Sequence, residues 1–125
     1  MKTTMFYDGG CPVCMRGVEH YRRLDWAGRL AWVDLTAPGF DPAAHGVKFS
    51  DAMDVLHVRG RDGALRSGGY AFLALWAELP GYRLLGAVVR RMRLAGVFDA
   101  AYRRLARGRY ARRCAEGVCL PATES

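Results

Sequence analysis

Lysine is nearly missing from this 125-residue chain: 17 of its 19 basic residues are arginine. Acid is missing from one region, since between Gly81 and Arg113 ten arginines stand against the single carboxylate of Asp99. The net charge of +7 is therefore concentrated in the last third. Such a face is either solvated or turned toward an acidic partner surface, so peripheral contact with one is allowed. The stretch contains no recognisable base-reading element, and no nucleic-acid partner is expected. Long apolar runs are absent as well. The longest, Ala71–Ala77 and Gly86–Val89, stop at Glu78 and Arg90 and fall far short of a transmembrane segment. Residues 1–10 hold no apolar run that would serve as a signal-peptide core, which predicts a cytoplasmic protein. Four cysteines are too few for a disulfide scaffold, and thiols in that compartment stay reduced. There is no phosphate loop and no Ser/His/Asp constellation, and no cofactor is implied.

What is present suffices for one core: about half the residues are apolar and 11% are aromatic. Thr3–Tyr7 reads as a strand ended by Asp8-Gly9-Gly10. A helix follows with Pro12 in its first turn, where a missing amide costs nothing, and fades near Trp26–Gly28. Leu30–Leu35 is a second strand, followed by a loop with a short helix or turn near Ala43–His45. Val55–Arg59 and Ala64–Ser67 read as a hairpin around Arg61-Asp-Gly. Helices are predicted over Tyr70–Leu79, Leu84–Leu94 and Phe98–Arg109, and the tail beyond shows no clear period. This order, β-α-β-(α)-β-β-α with additional C-terminal helices, is that of an α/β thioredoxin-like fold. Residues 1–113 form the expected domain and 114–125 a cysteine-containing tail.

The chemistry is expected at Cys11 and Cys14, two residues apart where a strand meets a helix. The free amides and dipole of a helix N-terminus stabilise a thiolate on the first cysteine. The second turns inward and resolves the mixed disulfide. Cys11 is therefore the expected nucleophile and Cys14 the resolving thiol. Asp8, at the strand's end, would accept a proton from Cys14 or cap the turn, while its charge would raise a nearby thiol's pKa. The same C-x-x-C spacing also serves zinc.

Cys114 and Cys119 form a second pair. They are read as two free thiols, as a relay or disulfide, or as the other half of a metal site with Cys11 and Cys14. His57 lies within the third strand, facing opposite to Leu56 and Val58. It would tune a thiol if that strand abuts the site, or else be a satisfied core histidine.

The run F-Y-D-G-G-C-P-V-C resembles the D-G-x-C-x-x-C signature of the DCC family of predicted thiol-disulfide oxidoreductases. The likeness extends over nearly the whole chain, through the V-L-H-V…D-G hairpin, the A-F-L-A-L-W helix and the A-Y-R-R-L-A-R-G-R-Y segment. The family's motif residues fall on Asp8, Gly9, Cys11 and Cys14, and its cysteine before Leu-Pro on Cys119. Cys114 is an addition. The resemblance implies a thioredoxin-like fold and exchange with a disulfide-containing protein or small thiol substrate, reset by an external thiol reductant. Thioredoxins proper place a cis-proline just before the third strand. Here Asp51–Asp54 occupies that position, and Met53 becomes the candidate wall beside Cys11.

Overall fold

The computed structural model describes residues 2–122. Its centre is β1 (Thr3–Tyr7), whose alternating side chains supply both faces of the sheet: Met5 enters one core cluster and Phe6 the other. β2 (Leu30–Asp34) pairs with β1 in parallel, joined by the crossover helix α1 (Pro12–Leu24). β3 (His57–Arg59) lies antiparallel on the other side of β1, and β4 (Leu65–Ser67) pairs antiparallel with β3. The resulting order, β2-β1-β3-β4, is the thioredoxin-like arrangement expected from the sequence.

One face of the sheet is covered by α1 and by α4 (Gly69–Trp76), through Val18, Tyr21, Ala71, Leu73 and Leu75. Trp76 Nε1 donates to Tyr21 Oη at 3.1 Å, so the two helices share a satisfied polar contact inside the cluster. The opposite face is covered by the segment between β2 and β3. It holds α2 (Pro42–His45) and α3 (Phe49–Asp54), which bury Phe49, Ala52 and Met53. α5 (Tyr82–Arg91) and α6 (Ala95–Ala106) pack on α4. No helix among the described residues is long and apolar enough to cross a membrane.

Three expectations are corrected. The segment Val55–Leu56 is not strand: α3 ends against Val55, and pairing begins at His57. The penultimate helices sit two to three residues earlier than predicted, because the chain breaks at Met92–Leu94 and again at the left-handed Gly108. The stretch read as aperiodic is the helix α7 (Arg109–Ala115). Its apolar face is too narrow to show as a period. α7 is held by tertiary contacts with α3, including the Tyr110 amide donating to Asp54 Oδ1 at 3.2 Å and the Phe49–Tyr110 ring contact.

Candidate active site

The site begins at the carboxyl end of β1. Asp8 is 4% exposed, and its Oδ1 accepts the Gly10 amide at 2.9 Å, so it caps the turn as one of its two expected roles. The neighbouring parallel strand contributes Asp34, which stands opposite Tyr7 in register. Asp34 Oδ1 accepts from the Gly9 amide at 2.9 Å and from the amide and hydroxyl of Thr36. A Cβ at position 9 would lie 2.0 Å from Asp34 Oδ2, so only glycine lets the turn close this tightly.

Cys11 follows as the N-cap of α1, with extended backbone and Pro12 at the first helical position. Its Sγ accepts the Cys14 amide at 3.3 Å, so the sulfur occupies the place of a capping oxygen. Both cysteines are free thiols and half-buried.

The C-terminal helix brings the cation. Arg109 Nη2 donates to Cys14 Sγ, and its Nη1 donates to Tyr102 Oη at 3.2 Å. One helical turn on, Arg113 donates to both oxygens of Asp8, through Nε at 2.6 Å and Nη2 at 3.2 Å. The i, i+4 spacing puts both arginines on the face of α7 that meets the dithiol.

The two thiols are driven apart. Burial raises both, but at Cys11 the hydrogen bonds from Cys14 and the charge of Arg109 outweigh burial and the Asp8 charge, so its pKa falls below the ordinary value. At Cys14 burial is joined by the hydrogen bond to Cys11 and outweighs Arg109, and its pKa is pushed up to about 12. The thiolate therefore resides on Cys11 and the proton on Cys14. Arg109 is held charged by these thiols and by Tyr102, against the cost of its burial.

A cleft of about 590 Å³ opens over the pair. Its walls are largely apolar, from Met5, Met53, Phe72 and Leu105, and exposed Val13 stands beside Pro12 at its edge. Met53 is thus the expected wall, though it sits on α3 rather than in an extended segment.

The remaining sequence candidates lie elsewhere. His57 is buried on β3, its Nδ1 is 2.9 Å from the Val55 carbonyl oxygen, and it does not line the cleft. Cys114 and Cys119 form a disulfide with each other, which closes the end of α7. The reading of these two as free thiols is overturned: the four-residue spacer folds back through Gly117, whose positive φ permits the turn. The shared metal site is overturned with it, since Cys114 and Cys119 are bonded together. No group of three or more His, Cys, Asp or Glu is placed to hold a metal among the described residues.

With this geometry in view, comparison with known families matches residues 5–115, from mid-β1 to the end of α7, to DCC1-like thiol-disulfide oxidoreductase. The chain belongs to this family. An uncharacterized chloroplastic protein of Arabidopsis thaliana is 32% identical over 80 residues, which are 62% of this chain and 37% of the plant protein. The chain thus matches little more than a third of that relative's length. No solved structure gives a significant match.

Within the DCC1-like protein, sequence reasoning missed Asp34, Tyr102, Arg109 and Arg113. Asp34 carried a faint signal, as a carboxylate at the end of the strand that pairs in parallel with the one before the cysteines. The arginines carried none, since nothing local separates Arg109 and Arg113 from the eight others between Gly81 and Arg112.

Proposed function

We propose that Cys11 is the nucleophile and Cys14 the resolving thiol of a thiol-disulfide exchange. The thiolate of Cys11 attacks one sulfur of a substrate disulfide. A bond forms between the two sulfurs, and the other half of the substrate leaves as thiolate. Cys14 then gives up its proton beside Arg109, and its thiolate attacks Cys11 Sγ. The Cys11–Cys14 disulfide forms as the second half leaves, so two electrons pass from protein to substrate. An external thiol reductant returns the pair to the dithiol.

The single observation that carries this reading is the placement of two free thiols at one helix N-terminus, Cys11 Sγ accepting the Cys14 amide and Cys14 Sγ accepting from Arg109, which drives their pKa values in opposite directions. The lowered first thiol is the readier to attack, and a protonated second thiol waits until the mixed disulfide forms. The apolar cleft beside Cys11 suits a disulfide-bearing protein segment or a small thiol with an apolar body.

The test is a titration of the thiols against glutathione redox buffers, with metal content measured on the same anaerobic sample. The expected result is metal-free protein in which Cys11 and Cys14 titrate as one two-electron couple, with Cys14→Ser accumulating a mixed disulfide at Cys11. Failure of the pair to form a disulfide in any buffer, or stoichiometric metal that protects Cys11 from alkylation, would overturn the reading.

A further inference from the structure

The helices beyond α4 carry a surface that thiol chemistry does not use. On α5 the helical period turns Gly86 and Val89 inward, with Gly86 against Trp76 and Val89 against the core. The same period gathers Leu84, Leu85, Val88 and Met92 on an adjacent stripe that is exposed. The chain continues through exposed Leu94 into the first turn of α6 with Val97. Leu84 is 71%, Met92 63% and Val97 66% exposed, so these side chains stand clear of the core and do not merely fringe it. Six large apolar residues exposed within positions 84–97 are more than scatter on a soluble face.

Arg91 flanks this ridge on α5 and Arg93 follows it in the α5–α6 turn, while Arg83 and Arg90 project from the far side of α5. All four are exposed, and none makes a side-chain hydrogen bond or ion pair among the described residues. The one acid of the region is already engaged: Asp99 accepts from Arg103 and from the Gly69 amide. The aromatic rings of α5 and α6, Tyr82, Phe98 and Tyr102, pack inward, while Tyr70 of α4 is exposed beside Gly96. On α5 and the α5–α6 turn, what remains outside is mainly Leu, Val, Met and unpaired Arg.

We propose that α5 and the α5–α6 turn form an interfacial docking surface for an anionic lipid bilayer. Charge selects this occupant. A second copy of the chain would bring Arg91 and Arg93 toward their own counterparts, with the acid of this region, Asp99, already engaged. A bilayer meets the apolar ridge and its flanking cations at once. Acyl chains take Leu84, Met92 and Val97 at the headgroup boundary, and anionic phosphates accept from the guanidiniums. Each arginine adds to the attraction within a Debye length of the surface. The helix is too short to span and is built to lie in the plane.

The experiment is flotation of the full chain with vesicles of phosphatidylcholine alone and with phosphatidylglycerol added. Partition onto the anionic vesicles is expected to exceed that onto neutral ones at least about tenfold, and to fall as salt rises. Leu84→Ser with Met92→Ser, and separately Arg91→Gln with Arg93→Gln, should each reduce binding about tenfold. Both pairs are exposed and far from the dithiol in sequence, and the Cys11–Cys14 titration should be unchanged in them. Equal partition onto neutral and anionic vesicles, or none onto either, would overturn the proposal. So would a concentration-dependent dimer, seen without vesicle binding, that the Leu84→Ser/Met92→Ser variant abolishes.

Discussion

Replacing Arg109 by Met keeps the bulk of the side chain and removes the cation that, among the described residues, hydrogen-bonds the dithiol. The consequence is worked most simply in a Cys14→Ser background, where Cys11 titrates alone. Arg109 lowers the pKa of Cys11 through its charge, while burial and Asp8 oppose it. Loss of that charge raises the pKa of Cys11 and so lowers its thiolate fraction near neutral pH. The more basic thiolate is also the better nucleophile, with a Brønsted slope of about 0.4–0.5, so the alkylation rate falls by only about half as many decades as the thiolate fraction does. Well above both pKa values the order reverses, and the variant reacts faster. The assay is the rate of iodoacetamide alkylation as a function of pH. The expected result is a profile displaced to higher pH with a higher plateau, partly restored by Arg109→Lys. An unmoved midpoint would refute the reasoning, because it would mean that the helix N-terminus alone sets the reactivity of Cys11.

Three further outcomes are expected. Arg113→Met leaves the Asp8 carboxylate buried with the Gly10 amide but without its cation, and should cost about 2 kcal/mol in denaturant unfolding, with much of the loss recovered when Asp8→Asn is added. Gly9→Ala drives a methyl into Asp34 and should destabilise by about 1–3 kcal/mol while slowing alkylation of Cys11, whereas Asp34→Ala should relieve the clash in the double variant. Cys14 holds its proton to about 12 when folded but releases it near the ordinary value of 9.0 when unfolded. Its contribution to stability is therefore whole below about pH 9 and is lost as pH rises from there toward 12. Unfolding free energy should fall through this window, less steeply in Cys14→Ser, with the residual slope belonging to the buried phenols of Tyr21 and Tyr102.

How much of this was legible in the sequence follows the reach of each interaction. The strand, turn and capped helix around Cys11 were readable because each rests on neighbours: aromatic and β-branched residues before Asp8, glycines after it, and proline at the first helical position. The hairpin was readable from Arg61-Asp-Gly for the same reason. α7 was not. Its place is decided by partners far away, Cys14, Asp8 and Asp54, and its own apolar stripe is thin. Phe49–Asp54 was given no element of its own because its residues lack a distinctive helical period, yet it forms α3 and buries Phe49, Ala52 and Met53 in the second core cluster. The disulfide stood as one of three readings of Cys114 and Cys119, and what decides it locally is a spacer able to fold back on itself.

The two halves of the site stand 95 residues apart in sequence, and one short helix closes the gap. Arg109 on Cys14 and Arg113 on Asp8 ride on successive turns of α7, so the two contacts are made or lost together. Undocking α7 withdraws the charge that favours a Cys11 thiolate and frees the Asp8 charge that opposes it, in one step. The acidity of the attacking thiol is thereby tied to the seating of a helix remote in sequence.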